Sequence, residues 1–560
     1  MKIKSLLVGM FACAALVACS NEDIVEGNGN GNEEGNAVPA YVSLSFTARS
    51  NGDGRGVTED PAQPEDTGVE NAGTVNEQTV NSVLYVIGTE FKYVANVSDE
   101  FDATAGIYTQ KNPIKVSAGE HEVCVVINPC ADLVTKATGI NASASSILTA
   151  IKTGSYQGTS WDNAIDAMTK ATNASENANF MMANRDLVKV TATDKNTAAQ
   201  PLEVSVNVER TVAKIMYRAK NETNTYTVPV TTVEQTLVTE IIGETTYTKA
   251  FDQASQIVWV ANNKVYSISA EKKPTELVLY NGEGKTPNVP YYTLKDGARL
   301  EYDHKTVETT EDLTVTLTGY ALTNIQNKMY YVRHTSTDGL SGEAFGLLNG
   351  KNYLFDPYFT SKTAEKLQDN TFFFNSFGKY DFAAENAFKA FPTENENSET
   401  TGDARNVGGF MAYCYENATS VAMQKHGYST SVTFRAVATY KDGEKFNACV
   451  YNGYIYKSFE KAKEANIDIT EADCAIYKEG VCYYTAQIKH LDNGASSVMG
   501  NMEFAIVRNN IYSLEVSKLE KIGDSTVDQD PTIDDETGDG YIKLKVAIIP
   551  WKVRYNNIEF

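Results

Sequence analysis

The stretch AYVSLSFTARSNGDGRG, residues 40–56, decides how this chain is interpreted. Val42, Leu44 and Phe46 alternate with small polar residues in it. This period of two residues predicts a half-buried β-strand near the start of the chain. The strand runs into Arg49 and then into a Gly-rich loop that contains Arg55, so an exposed site for a trypsin-like protease follows a good strand.

The residues before this strand predict export and lipid attachment. Lys2 and Lys4 precede an apolar run of residues 6–18, which is too short for a membrane span and typical of a secretion signal. The signal, residues 1–18, ends in LVAC, a bacterial lipobox whose Cys19 would carry the diacylglyceryl group. The polar, acidic, Gly- and Asn-rich stretch behind it predicts a disordered tether.

Charge and motif content argue against several classes of function. The net charge is −23, and an acidic excess of this size disfavours nucleic acid and anionic membranes as partners. The five histidines stand apart from one another, and no metal-ligand spacing or nucleophile motif occurs. The acidic run 525–540 fails the calcium-loop pattern and is interpreted as a solvated loop. We therefore expect a non-enzyme without metal or cofactor.

Six cysteines remain once those of the signal and the lipobox are set aside. Cys474 and Cys482 flank a turn in CAIYKEGVC and could form a disulfide across a hairpin. Buried free thiols are the alternative for all six.

Short alternating runs separated by turn residues dominate the rest of the chain, with examples in PLEVSVNVER, LTVTLTGY and SVTFRAVATY. Three stretches have helical spacing instead: SASSILTAIK, WDNAIDAMTKA and KSFEKAKEAN. The fold class predicted is mainly β, with two β-sandwich domains of transthyretin-like type and a few inserted surface helices. The expected boundary follows residue 222, giving domains 56–222 and 223–560.

The C-terminal end also has the pattern of a strand. In GYIKLKVAIIPWKVRYNNIEF, one face carries Ile542, Leu544, Val546 and Ile548, and alternation resumes after Pro550. Proline cannot donate to a strand ladder, so it splits the run or marks a sheet edge. The terminal strand either completes its own sheet or pairs with the exposed edge of a neighbour.

Several motifs together resemble a known family. They are the lipobox with its acidic tether, VERTVAKI, TGYALTNIQNKMYYVRHT, and MEFAIVRNNIYSLEV followed by KVAIIPWKV. In these the chain resembles the major fimbrial subunits of Bacteroidales, the fimbrillins, and is most similar to the Mfa1-type shaft subunit.

The resemblance implies a mechanism of assembly. The lipidated precursor reaches the outer membrane, and an Arg-specific surface protease removes residues 19–55, tether and first strand together. Arg55 is favoured as the cleavage site because its loop is Gly-flanked, and Arg49 is the alternative. The lost strand, with Val42, Leu44 and Phe46 as plugs, leaves a groove in the N-terminal domain.

The C-terminal strand of another copy then fills the groove, which repeats head to tail into a filament. Ile542, Leu544, Val546 and Ile548 are the favoured donor plugs, and the tract beyond Pro550 is the alternative donor. The resemblance thus implies a shaft subunit of a cell-surface fimbria that supports adhesion and biofilm formation, with anchor and tip subunits as partners. An uncleaved anchor or tip subunit and a monomeric glycan-binding lipoprotein are the alternatives.

Overall fold

A computed structural model of the protein describes residues 38–47, 73–74, 76–104, 106–170, 179–185, 188–220, 223–251, 255–277, 300–336, 344–345, 353–367, 373–374, 387–393, 408–467, 469–490, 492–495, 498–527, 530–537 and 542–550.

Strands dominate this described part, as the alternating pattern predicts. The strands up to residue 217 are β1 (Pro39–Thr47), β2 (Val83–Ile87), β3 (Glu90–Val94), β4 (Phe101–Thr104), β5 (Ile107–Gln110), β6 (Ile114–Ser117), β7 (Gly119–Ile127), β8 (Ser155–Gln157), β9 (Met182–Asn184), β10 (Val188–Ala192), β11 (Leu202–Arg210) and β12 (Ala213–Tyr217).

The later strands are β13 (Thr225–Leu237), β14 (Thr239–Ile242), β15 (Thr245–Phe251), β16 (Ile257–Ala261), β17 (Lys264–Ile268), β18 (Pro274–Leu277), β19 (Glu301–Tyr302), β20 (His304–Thr323), β21 (Ile325–Gln326), β22 (Lys328–Tyr330), β23 (His334–Ser336), β24 (Ala344–Phe345), β25 (Tyr353–Leu354), β26 (Phe373–Phe374), β27 (Gly409–Cys414), β28 (Ser431–Thr439), β29 (Ala448–Tyr451), β30 (Tyr454–Tyr456), β31 (Ala475–Tyr477), β32 (Val481–Gln487), β33 (Asn510–Leu519) and β34 (Ile542–Pro550).

Four α-helices lie among the described residues: α1 (Ala131–Thr138), α2 (Ala144–Thr153), α3 (Trp161–Thr169) and α4 (Phe459–Ala465). The last three are the stretches predicted from their spacing. Each begins after a serine, Ser143, Ser160 or Ser458, whose hydroxyl accepts a hydrogen bond from a backbone N–H of the first turn. Among the described residues, no helix is long and apolar enough to cross a membrane.

The first large sheet contains β1. Its strand order is β3-β2-β7-β9-β11-β1-β5-β4, with β10 paired to β7 and β6 paired to β1. β1 runs parallel to β11 and antiparallel to β5 and β6. The strand nearest the N-terminus of the described chain therefore lies inside a sheet, with hydrogen-bonded partners on both sides.

Two further sheets, built from strands between residues 213 and 550, face one core. A four-stranded sheet has the order β27-β12-β33-β34, and a seven-stranded sheet has the order β31-β29-β30-β13-β20-β28-β32. Ile215 and Leu514 from the first of these sheets share a buried cluster with Leu317 and Phe434 from the second. This packing of sheet against sheet is a β-sandwich, which confirms the predicted mainly-β class.

The apolar interior has two main clusters. One holds residues such as Leu44, Val125 and Val206 from the first sheet and the helices over it, and the other is the sandwich core. β12 pairs with β27 and β33, so it belongs to the four-stranded sheet of the sandwich described above. This strand precedes the predicted domain boundary at residue 222. The domain boundary itself stays a prediction.

A buried group of four charges accompanies these clusters. Arg508 Nη2 donates to Glu416 Oε2 at 2.6 Å, and Arg333 donates to Glu209. All four residues are at most 3% exposed. Burial raises the pKa of Glu209 to about 7, although both arginines oppose this shift. Removing one member of such a group strongly destabilises the fold, because its partner is left as an uncompensated buried charge.

Candidate functional site: the two terminal strands

The plug residues predicted in β1 are fully buried. Ala40, Val42, Leu44 and Phe46 each have 0% exposure. They point to one face, since alternate residues of a strand share a face. Ser43 and Thr47, on the other face, are also buried. β1 is thus more deeply buried than the predicted half-buried strand, because it has neighbours on both edges.

Phe46 has the largest side chain of the four. Its ring stacks on Tyr108 of β5 at a centroid distance of 5.2 Å and meets Phe101 of β4 at 5.1 Å. On the opposite face, Ser45 Oγ donates to Val204 O of β11 at 3.2 Å. Removal of β1 would expose these aromatic rings and leave backbone groups of β5, β6 and β11 without partners.

Among the described strands, β34 lies at a sheet edge with β33 as its one hydrogen-bonded neighbour. It pairs antiparallel with β33 over its whole length, from Ile542 opposite Leu519 to Pro550 opposite Asn510. Leu544 and Val546 are half-buried and pack against the sandwich core. The register puts Ile548 opposite Tyr512. In this structure the terminal strand completes its own sheet, one of the two roles expected for it.

The end of the chain that holds β34 matches a family model. Residues 475–557 match the family model for the C-terminal part of the type IV major fimbrial subunit protein, fimbrillin. We call these residues the fimbrillin region. It begins at β31 and includes β32, β33 and β34, so the expected donor strand lies inside the matched segment. No curated protein matches the chain in sequence.

Solved structures of fimbrial proteins are also similar to this chain. A fimbrilin from Porphyromonas gingivalis W83 is 12% identical, with 92% of this chain and 99% of that chain covered, at a TM-score of 0.37. The tip fimbrial protein Mfa3 of Porphyromonas gingivalis, with a C-terminal truncation, is 11% identical. That comparison covers 92% of this chain and 100% of that chain, at a TM-score of 0.33. A fimbrial assembly protein from Parabacteroides distasonis ATCC 8503 is 12% identical. That comparison covers 42% of this chain and 84% of that chain, at a TM-score of 0.19. All three TM-scores are below 0.5.

Other predicted site residues lie outside the described residues. They are the lipidation site Cys19, both arginines proposed for cleavage, Arg49 and Arg55, and the alternative donor tract beyond Pro550. For these the sequence expectations stand as stated.

The acidic run before β34 is not the solvated loop that its composition suggested. Lys425 Nζ donates to Asp534 Oδ1 at 2.6 Å, and the backbone N–H of His426 donates to Ile533 O at 2.9 Å. Asp535 is 6% exposed and accepts from the hydroxyl of Ser429. Burial raises the pKa of Asp535 to about 8. The described part of this loop, residues 530–537, is therefore fixed to residues 425–429.

Three carboxylates gather in the same loop system. Oxygens of Asp492, Glu503 and Glu536 lie within 4.8 Å of one another. Lys489 contacts all three, at 2.9 Å to Glu503 and 3.5 Å to Asp492. Burial lowers the pKa of Lys489, but its hydrogen bonds to Glu536 and Glu503 outweigh this and leave it raised. The lysine ammonium already occupies the place that a cation would take.

The hairpin disulfide between Cys474 and Cys482 is not formed. The structure has both as free thiols. Their strands are not paired, because β31 pairs with β29 whereas β32 pairs with β28. Cys482 is buried in the sandwich core, and Cys474 packs in a smaller cluster beside Cys449, the thiol with which it interacts.

The sequence did not predict the strands that pair with β1, which are β11, β5 and β6. β11 was recognised as a strand from the alternation in PLEVSVNVER, but nothing in the sequence pairs it with β1. β5 and β6 are only four residues each, and β5 has no buried residue to create an alternating signal. The available clue was the N-terminal strand's own apolar face, which needs a complementary groove.

Proposed function

We propose that this chain is a structural subunit of a cell-surface fimbria, a shaft-type subunit that polymerises by strand exchange. Its precursor carries a lipid on Cys19 at the outer membrane. An Arg-specific protease cuts after Arg55, or alternatively Arg49, and releases β1 with the tether. Accessory anchor and tip subunits complete the filament, which supports adhesion and biofilm formation.

The position of β1 carries the proposal. A strand with both edges paired and four fully buried side chains leaves a complete slot when it is lost, with apolar pockets and unpaired backbone groups. Such a slot accepts an extended strand by β-strand addition. An ordinary edge strand would leave one free edge and no pockets.

The fimbrillin region supplies a strand of matching pattern. β1 has apolar residues at every second position from Ala40 to Phe46, and β34 has them at every second position from Ile542 to Ile548. Among the described strands, β34 leaves one neighbour, β33, when it moves, and the loop contacts at residues 530–537 would keep its base attached. Because donor and acceptor belong to different sheets, the contact between copies is head to tail, and such a contact produces a fibre when it does not close into a ring.

N-terminal sequencing and intact-mass measurement of protein sheared from cells test the proposal. A chain that starts at Gly56 or Ser50, without lipid, is the expected result. A chain that starts at lipidated Cys19 in assembled filaments would overturn the cleavage step and favour an uncleaved anchor or tip subunit. A monomeric lipidated protein that binds glycans would overturn polymerisation as well.

A further inference from the structure

A buried lysine, an asparagine and an aspartate meet in the second half of the chain. Lys362 Nζ donates to Asp356 Oδ2 at 2.6 Å and to Asn417 Oδ1 at 2.7 Å. A third hydrogen bond, also 2.7 Å, goes to Ala418 O. The side chains of Lys362 and Asp356 are 0% exposed, and Asn417 is 1% exposed.

We propose that these three residues form an intramolecular isopeptide bond, in which Lys362 Nζ is joined to Asn417 Cγ with Asp356 as the proton carrier. The proposal does not depend on strand exchange, since none of the three residues belongs to either terminal strand.

The nucleophile is close to its target. Because a C=O bond is about 1.2 Å long, the hydrogen bond from Nζ to Oδ1 puts Asn417 Cγ within about 4 Å of Nζ. Reacting atoms in a near-attack arrangement are about 3–3.5 Å apart, so a small shift of the lysine tip brings them together.

The surroundings favour the reactive form of the amine. An apolar cluster includes the chain neighbours of two site residues, Phe355 beside Asp356 and Ala418 beside Asn417. Its other members are Leu354, Phe359, Met502, Ala505 and Val507. Burial lowers the pKa of Lys362, although Asp356 opposes this. A desolvated lysine gives up its proton more readily and becomes a nucleophile. Asp356 contacts Nζ directly and is the acceptor for that proton.

The amide is held with its carbonyl oxygen toward the lysine. Asn417 Nδ2 donates to Tyr428 O at 2.8 Å and to Thr430 Oγ1 at 3.0 Å. A carbonyl oxygen turned toward Tyr428 O would face another acceptor, so this orientation is fixed. The nitrogen that must leave is therefore on the side away from Nζ.

The reaction balances without an oxidant or a cofactor. Lys362 transfers a proton to Asp356, and the neutral amine attacks Asn417 Cγ while the protonated carboxyl of Asp356 hydrogen-bonds to Oδ1. The new Nζ–Cγ bond forms, Asp356 gives its proton to Nδ2, and the Cγ–Nδ2 bond breaks. Asp356 then takes the second proton from Nζ and passes it to the departing ammonia, which leaves as ammonium. One lysine ammonium and one carboxamide become one secondary amide plus one ammonium ion, and the Asp356 carboxylate is regenerated.

The mass of the purified wild-type protein tests this. We expect an intact mass lower than that of its sequence by one ammonia, and a tryptic product that joins residues 352–366 to residues 406–425, because trypsin cannot cut after an acylated lysine. Lys214 is the internal control: it is equally buried and donates to Glu77 Oε1 at 2.7 Å, and it should stay unmodified. A full sequence mass with separate peptides would overturn the proposal and leave Lys362 in a structural ion pair.

Two variants assign the roles. Lys362→Arg keeps the positive charge but cannot make this bond, and Asp356→Asn keeps the shape but removes the proton carrier. Both should have the full sequence mass. Ammonia loss that persists in Lys362→Arg would come from another reaction and would overturn the bond, and joined peptides in Asp356→Asn would overturn the role of the aspartate. If a variant fails to fold, the wild-type peptide map still decides.

Discussion

Replacing Phe46 by alanine tests whether β1 is a plug that holds the N-terminal core together until it is exchanged. Phe46 is fully buried and contacts the rings of Tyr108 and Phe101. Large-to-small changes of a buried phenylalanine cost about 3–5 kcal/mol, through lost transfer free energy and the cavity left behind. The uncut precursor without residues 1–19 should therefore unfold at lower urea concentration, with an unchanged denaturant slope in the transition of this core.

Ser45→Ala is the matched control in the same strand. It removes one hydrogen bond, from Ser45 Oγ to Val204 O at 3.2 Å, which contributes about 1 kcal/mol. A Phe46→Ala precursor as stable as Ser45→Ala would contradict the packing described for β1.

The same substitution should change assembly. After the cut, β1 is held only by noncovalent contacts, and a loss of about 3 kcal/mol corresponds to about a hundredfold weaker hold on the slot. Phe46→Ala should then shorten the lag before filaments form once an Arg-specific protease is added, as followed by light scattering. Equal lag times for Phe46→Ala and wild type, with equal cleavage rates, would refute the idea that release of β1 limits assembly.

Three further outcomes follow from particular contacts. Leu544→Asp puts a charge on the apolar face of β34 and should stop filament formation while monomers still fold. The control Lys545→Asp changes a polar position of the same strand and should still form filaments. Electron microscopy of the cut protein distinguishes the two variants. Asp535 has a folded-state pKa of about 8, above its unfolded value, so its stabilising effect is fully present below about pH 4 and is lost as the pH rises through about 8. Asp535→Asn should therefore flatten the decline in thermal stability across that range, and an unchanged pH profile would count against a buried neutral carboxyl. Glu416→Gln leaves Arg508 without its buried counter-charge and should cost about 3–5 kcal/mol in denaturant unfolding, so a loss below about 1 kcal/mol would contradict the geometry.

Local periodicity was enough to predict the secondary elements with strong patterns. The spacing of apolar residues correctly predicted the strand at 42–46 and the helices α2, α3 and α4. Each of these elements has one apolar face and a clear start. α1 was missed, because its eight residues follow Cys130, which makes no side-chain cap. A single turn or two of amphipathic spacing does not stand out from the surrounding strands.

Long-range pairing could not be predicted, and the candidate site depends on it. Alternation in β1 identifies a strand but not whether it lies inside a sheet, and its parallel partner β11 follows about 160 residues later. The cysteine hairpin failed for the same reason: nearness in sequence suggested pairing, but β31 found β29 as its neighbour instead. Lys362 and Asn417 meet only because the segment after β25 folds back on the residues after β27.

The proposed exchange has a favourable direction that follows from the two strand positions. Among the described strands, β34 has one hydrogen-bonded neighbour, and its described apolar residues, Leu544 and Val546, are only half-buried. The slot of β1 offers neighbours on both sides and positions of 0% exposure. Fully burying an aliphatic side chain contributes about 1.5–3 kcal/mol relative to leaving it exposed, so moving half-buried residues into such a slot gains free energy for each of them. The cut makes the slot vacant. Without the cut, β1 stays covalently attached, so its effective concentration at the slot is higher than that of any donor strand from another subunit. Cleavage can therefore control when assembly starts, while the difference in burial between an edge and an interior strand position drives it forward.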